Sequence, residues 1–157
     1  MSTRRGGQAG KPDQPARPQI VRRWLWFRNE LGGRSPAEEE FLSLPAAGQA
    51  GLAAAIARYR LGESRRGDVD SLGDGLHELR HRSQTLRFRV LFIRWGPHCV
   101  GLTAFCKKQG TTPKPDLDRA RQRASRWREV FGVKPEDLSG IPGSLLRRCA
   151  QLCVLSA

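Results

Sequence analysis

The sequence predicts an α+β fold in which a first strand and two helices precede an antiparallel meander of strands, and a last helix follows. Three observations predict it. Apolar residues recur at helical spacing between residues 35 and 63, and again between 116 and 131. Between 75 and 108, three runs rich in β-branched and aromatic residues are separated by short turns. The predicted order of elements is therefore β-α-α-β-β-β-α, with a helical hairpin packed on the sheet.

The length and composition leave room for one domain. A chain of 157 residues, 38% of them apolar, can build a single modest core. Residues 1–19 are rich in Gly, Pro, Arg and Gln, which predicts a disordered basic arm. Residues 20–132 form the predicted domain. Residues 133–157 begin with Pro and Gly breakers and are predicted to be a poorly ordered appendage outside the core.

The first elements are a strand and a short helix. The aromatic-rich segment 20–31 predicts the strand, because aromatic residues favour pleated surfaces. A helix start follows, with Ser35 as N-cap, Pro36 at the first helical position and Glu38 at the third. This helix is predicted to end at Leu44.

Two longer segments predict helices with one apolar face. Segment 46–63 follows a proline, and segment 116–132 has acids at its start, arginines toward its end and a glycine after it. These stripes predict core packing and no chemistry. Their apolar residues are Leu52, Ala55, Ile56 and Tyr59 in the first helix, and Leu117, Ala120, Ala124, Trp127, Val130 and Phe131 in the second.

A charged, glycine-containing loop is predicted at residues 64–75, before the meander. In the middle strand of the meander, Phe88 and Val90 alternate with Arg87 and Arg89. One face of that strand is therefore expected to be apolar and the other partly basic. The three predicted strands are 75–83, 86–95 and 98–108.

Charge and hydropathy restrict the class of partner. Lys and Arg number 28 against 15 Asp and Glu, so the formal net charge is +13 and a polyanionic partner is expected. No run approaches the roughly 18 to 20 apolar residues that span a bilayer. The first residues also lack an apolar signal segment. These features predict a cytoplasmic protein without a membrane partner. The four cysteines have no CxxC spacing and are expected to remain free thiols.

Basic residues are dense on the predicted strands themselves. Side chains on one face of neighbouring strands lie about 5 Å apart, so several cations are expected to converge on one surface, where an RNA phosphate would relieve their repulsion. The alternative is a solvated face whose arginines pair with acids such as Glu78 or Asp74. The strand cations are Arg80, Arg82, Arg87, Arg89, Arg94, Lys107 and Lys108.

Other routes to nuclease chemistry have weaker support. The histidines His77, His81 and His98 are scattered, and the carboxylates Asp68, Asp70 and Asp74 cluster only in the predicted loop. The remaining option uses no metal or cofactor. Positioned Arg or Lys residues neutralise the charge on the phosphorus centre, while the RNA 2′-hydroxyl supplies the nucleophile.

Residues 74–127 strongly resemble HigB-type toxins of the phage Gp49-like group, within the RelE/ParE toxin superfamily. Several ordered motifs in one stretch give the resemblance. They are Glu78-Leu79-Arg80, Phe88-Arg89-Val90-Leu91-Phe92, Ala104-Phe105-Cys106-Lys107-Lys108 and Thr112-Pro113-Lys114. The likeness extends more loosely over 20–132 and is strongest to actinobacterial HigB toxins, whereas 1–19 and 133–157 lie outside it.

The resemblance implies a RelE/ParE-like fold and a ribosome-dependent endoribonuclease that enters the ribosomal A site and cuts mRNA. It also implies a HigA-like helix-turn-helix antitoxin that covers the basic surface, and a SecB-like chaperone that acts through the antitoxin in some systems. By motif, Arg80, Arg89 and Lys107 would be the catalytic or phosphate-stabilising cations. The RNA-binding residues would be Arg82, Arg87, Lys108, His81 and Lys114.

Two alternatives remain open from the sequence. A ParE-like relative would poison DNA gyrase on the same fold without nuclease activity, and a phage remnant would only bind nucleic acid. The cations on adjacent strands favour RNA cleavage over gyrase poisoning. Charges outside the strands, such as Arg4, Arg5 and Arg123, are expected to contribute only to association with RNA.

Overall fold

The computed structural model describes residues 22–30, 32–107 and 110–135. No helix within these ranges is both long and apolar enough to cross a membrane. The predicted arm 1–19 and the appendage beyond residue 135 lie outside the described residues. The elements are β1 Arg23–Trp26, α1 Pro36–Leu42, α2 Ala46–Leu61, β2 Val69–Gly73, β3 Leu76–Ser83, β4 Leu86–Trp95, β5 His98–Lys107 and α3 Lys114–Phe131.

The five strands form one mixed sheet in the order β1-β5-β4-β3-β2. Strands β2 to β5 are a continuous antiparallel meander, and β1 pairs parallel with β5. The α+β class is confirmed, and two consecutive helices precede the meander as predicted. The predicted order lacks one strand, because β2 lies within the segment predicted as a loop. As an edge strand of sequence VDSLG with mostly exposed residues, β2 lacks the alternation of apolar and polar residues that marks a half-buried strand.

The sheet has apolar residues on both faces. Helix α2 packs on one side, which we call the α2 face, against Phe88, Val90 and Phe92. Helix α3 packs on the other side, the α3 face, against Leu91 and Ile93. The expected division of β4 into an apolar and a partly basic face therefore holds only for its first half, because α3 covers the second half with its own apolar stripe.

Local signals in the sequence explain how the helices are placed. Ser35 Oγ accepts a hydrogen bond from the Glu38 N–H at 3.2 Å and donates to Phe27 O at 2.9 Å, as a capping residue does. On α2, Gly48 and Gly51 lie directly against the rings of Phe88 and His81, where a Cβ atom would clash. These two glycines let α2 lie close to the sheet.

A half-buried ion pair joins α1, β5 and α3. Glu40 accepts hydrogen bonds from Arg123 Nη1 and Nη2 at 3.0 and 2.8 Å, from Thr103 Oγ1 at 2.7 Å and from the Ala104 N–H at 3.4 Å. Arg123 Nη1 also donates to Leu102 O at 2.7 Å. The expectation that Arg123 contributes only to association is therefore wrong, because its guanidinium is a structural cross-link.

The Glu40→Gln variant is expected to lose about 2 kcal/mol of stability at pH 7, because hydrogen bonds to a charged group contribute more than neutral ones. Burial opposes ionisation, but the bonds from Arg123 and Thr103 outweigh it and hold the pKa of Glu40 below its ordinary value of 4.5. A lowered folded-state pKa adds stability above the unfolded-state pKa, and that stability is lost as pH falls through the folded-state pKa.

Urea unfolding of both proteins at pH 7 and in steps below pH 4.5 measures this difference. The difference in unfolding free energy between the wild-type and Glu40→Gln proteins should become smaller as the pH falls. Glu129→Gln is the matched control, because Glu129 pairs with Arg126 on an exposed helix surface at 3.3 Å. Equal stability of the Glu40 and Glu129 variants at pH 7 would contradict the structural role of Glu40.

Candidate functional site

Strand register brings the predicted cations together. In β3 and β4, Arg80 is opposite Arg89 and Arg82 is opposite Arg87. In β4 and β5, Arg87 is opposite Lys107. Residues directly opposite one another point to the same face of a sheet. These five residues therefore share the α3 face, beyond its apolar part, and we call them the site cations.

A buried carboxylate lies among the site cations. Glu78 is 1% exposed, and it accepts hydrogen bonds from Arg80 Nε and from Thr112 Oγ1, both at 2.7 Å. Arg89 Nε lies 3.1 Å from Glu78 Oε1, an ion pair whose N–H does not point at the oxygen. Asp70 on β2 pairs with the outer edge of Arg80. From the sequence, Glu78 and Asp74 were named as acids that could pair with the strand arginines. Glu78 does pair with them, but the second acid is Asp70 and not Asp74.

The site cations differ in how well their charges are compensated. Burial alone would lower the pKa of Arg80, but the hydrogen bond and charge of Glu78 outweigh it and raise that pKa. Burial lowers the pKa of Arg89, and the neighbouring charges of Arg80 and Arg87 lower it further. Burial also lowers the pKa of Lys107, together with the charge of Arg89. An anion next to Arg89 and Lys107 would therefore be stabilised, because it would offset charge that the protein leaves partly uncompensated.

The other predicted RNA-binding residues occupy different places. His81 lies on the α2 face, opposite Phe88, and its ring stacks on Phe88 with 6.2 Å between centroids. Lys114 is the exposed first residue of α3, two residues after Thr112. Lys108 lies outside the described residues. The structure thus separates His81 from the face of the site cations, although its ring borders the groove described next.

An open basic groove runs from the site cations toward the end of α2. Besides Arg80, Arg82, Arg87 and Arg89, its lining includes three arginines from the end of α2 and the loop after it. The sequence-based prediction did not include those residues, although the Arg-Arg-Gly sequence of the loop was a signal for two of them, Arg65 and Arg66. They are Arg58, Arg65 and Arg66.

The carboxylates of that region hold arginines. Asp68 accepts from Arg58 Nε and from the Arg65 N–H, both at 3.0 Å, and Asp70 pairs with Arg80. Across the described ranges, no group of three His, Cys, Asp or Glu side chains is placed to hold a metal ion. The acids therefore position the basic groove, which presents guanidinium and ammonium groups to a polyanion.

Comparisons with known proteins match the part of the chain that contains this site. Residues 39–125, from α1 into α3, match the family described as "Phage derived protein Gp49-like". Two proteins named "Probable endoribonuclease HigB1", from Mycobacterium tuberculosis strains CDC 1551 / Oshkosh and ATCC 25618 / H37Rv, are each 37% identical over 121 residues. The matched region covers 77% of this chain and 97% of each relative.

Proposed function

The chain belongs to the phage-derived Gp49-like family as a HigB-type toxin, and we propose that it is an endoribonuclease that cuts mRNA in the ribosomal A site without a metal ion. The family membership confirms the resemblance found in residues 74–127. The observation that supports the activity best is the convergence of Arg80, Arg89 and Lys107 on one face of three adjacent strands. The relatives named as endoribonucleases support the same reaction class.

The reaction we propose uses the substrate's own nucleophile. The RNA 2′-oxygen forms a bond to the adjacent phosphorus, the bond from phosphorus to the 5′-oxygen breaks, and the products are a 2′,3′-cyclic phosphate and a 5′-hydroxyl. Negative charge grows on the phosphoryl oxygens in the transition state. Arg80, Arg89 and Lys107 would stabilise that charge from fixed positions, which makes them effective without reorganisation.

Lys107 is the residue we assign to proton transfer. The Lys107 residue is mostly buried and lies beside Arg89, and its pKa is lowered first by burial and then by the charge of Arg89. A lysine with a lowered pKa is a stronger acid, so it can protonate the leaving 5′-oxygen more readily. The proton of the 2′-hydroxyl passes to solvent, and solvent then returns a proton to Lys107.

Flanking nucleotides would lie along the basic groove. Arg82 and Arg87, with Arg65 and Arg66 at the groove's other end, line the groove and would bind phosphates on either side of the scissile one. Lys114, Lys108 and His81 complete the set of RNA contacts that we propose from the motifs.

The proposed partners follow from the family. A HigA-like helix-turn-helix antitoxin would inhibit the toxin by covering the basic surface, and a SecB-like chaperone would act through that antitoxin. Translating ribosomes would deliver the mRNA in the A site, and the protein would work in the cytoplasm.

Expression without an antitoxin is expected to arrest growth through loss of mRNA. The test is to map mRNA 5′ ends after brief induction and to incubate purified protein with mRNA, with and without translating ribosomes. In-frame cuts that appear only with ribosomes are the expected result.

The Lys107→Ala variant, purified in parallel, controls for contaminating nucleases. Efficient cutting of naked RNA would contradict ribosome dependence. Double-strand DNA breaks with intact mRNA would support the gyrase alternative, and normal growth with intact mRNA would support an inactive remnant.

A further inference from the structure

A second cluster of arginines lies at the other end of the sheet, on the α2 face. It is organised by Tyr59, the only tyrosine in the chain, which is 6% exposed. Arg94 Nε donates to the Tyr59 hydroxyl at 3.0 Å, and Arg22 Nη1 donates to Tyr59 O at 3.1 Å. Arg60 Nε donates to Arg22 O at 3.0 Å. We call Arg22, Arg60 and Arg94 the Tyr59 arginines.

The Tyr59 arginines have neutral acceptors, unlike the arginines of the fold that pair with carboxylates. Arg58, Arg80 and Arg123 each pair with a carboxylate. Within the described ranges, none of the Tyr59 arginines forms an ion pair, and their hydrogen bonds go to two backbone carbonyls and one hydroxyl. The positive charge at this end of the sheet therefore has no counter-charge from a carboxylate partner in the described part of the chain.

Two nearby titratable groups, Cys99 and His77, do not supply a compensating negative charge. Cys99 lies on the same face opposite Arg94, and all three Tyr59 arginines act on it electrostatically. Burial nevertheless raises the pKa of the Cys99 thiol to about 11, so the thiol is neutral at pH 7. Burial and the charge of Arg94 lower the pKa of His77, which favours the neutral imidazole and adds no charge of either sign.

The guanidinium groups also have unused N–H donors and restricted motion, both of which favour binding of a ligand. A guanidinium has five N–H donors, and the contacts above use one on each arginine. Arg94 is exposed, and Arg22 and Arg60 are half-buried. The ring of Tyr59 lies 5.1 Å from the Arg22 guanidinium carbon and restricts its motion. Arginines already fixed by such anchors lose less entropy when they bind a phosphate through two parallel N–H bonds.

We propose that the Tyr59 arginines form a second phosphate-binding site, which anchors a stretch of RNA separate from the one being cleaved. The proposal rests on the proposed function for the choice of RNA as the polyanion. Arg94 and Arg89 are five residues apart on β4, which is about 17 Å along a strand, and they point to opposite faces. Three clustered guanidiniums exceed what a single carboxylate neutralises, whereas an RNA backbone supplies phosphates in series.

The test measures binding in a Lys107→Ala background, so that cleavage does not consume the probe. Fluorescence anisotropy of a labelled single-stranded RNA 20-mer is recorded at several salt concentrations. The variants Arg94→Gln and Arg94→Gln/Arg60→Gln are expected to weaken binding by about 3-fold and 10-fold, and to reduce the salt slope by about 0.7 per arginine. Arg128→Gln, at an exposed position of α3, should change affinity less than 2-fold.

Two further variants separate geometry from charge. Arg94→Lys should keep the salt slope and lose part of the affinity, because a lysine ammonium cannot bind a phosphate through two parallel N–H bonds. Tyr59→Phe removes the hydroxyl that orients Arg94 and should give a loss similar to that of Arg94→Lys. Circular dichroism confirms folding in each case.

An unchanged salt slope in the Arg94→Gln/Arg60→Gln variant would overturn the proposal. A poly-glutamate peptide is titrated in parallel, and loss of peptide binding with unchanged RNA binding would also overturn it, in favour of an acidic protein partner. If RNA binding depends on the Tyr59 arginines but Lys107-intact protein cuts no mRNA, the proposed function fails and this site stands.

Discussion

Substituting Arg80, Arg89 or Lys107 with alanine is expected to lower the single-turnover rate of mRNA cleavage on programmed ribosomes by roughly 10²-fold or more. These cations converge on the α3 face, where charge would grow in the transition state. Removing a group that acts mainly on the transition state lowers the rate at saturation and leaves binding of the substrate less affected.

Lys107→Ala is the decisive variant of the three. Arg80 and Arg89 both pair with the buried Glu78, so their alanine variants also leave that carboxylate with fewer partners. Arg89→Lys keeps a positive charge near Glu78. It therefore shows whether a lower rate in Arg89→Ala comes from loss of the fold or from loss of catalysis. Arg121→Ala, which removes an exposed α3 charge, is the matched control. Wild-type rates for all three alanine variants at saturation would refute the catalytic assignment.

Alternation along a strand predicts which of its own cations share a face. The sequence placed Arg87 and Arg89 on one side of β4, and the register with β3 and β5 then adds Arg80 and Lys107. The same rule was available for His81, which follows Arg80 directly and so must point to the opposite face. The motif resemblance grouped His81 with its neighbours, although consecutive side chains of a strand point to opposite faces of the sheet.

Other parts of the structure depend on contacts that a single sequence does not reveal. Edge strand β2 escaped prediction because an edge needs few apolar residues. Arg123 and Glu40 are 83 residues apart, and no local pattern links them. Glu78 has a partial local signal, since it lies two residues before Arg80 and therefore on the same face. Its hydrogen bond from Thr112, in the segment that leads to α3, has no local signal.

Glu78→Ala is expected to lower the free energy of unfolding by about 3–5 kcal/mol, the cost of breaking a buried ion pair by removing one partner. The Arg89 side chain is only 9% exposed, so without Glu78 its charge would stay buried with no carboxylate beside it among the described contacts. Glu78→Gln keeps the shape and one acceptor, so a smaller loss of about 1–3 kcal/mol is expected. Urea unfolding at pH 7 measures both.

Asp70→Asn is the matched control, because Asp70 pairs with the outer edge of Arg80 but its side chain is 50% exposed, and exposed pairs contribute less than about 1 kcal/mol. A second comparison identifies the cause of the Glu78 effect. If an unpaired buried charge causes the loss, the double variant Glu78→Leu/Arg89→Met should be more stable than Glu78→Leu alone, because it replaces both charges with apolar groups. A double variant no more stable than the single one, or a Glu78→Ala protein as stable as Asp70→Asn, would show that Glu78 does not compensate the charge of Arg89.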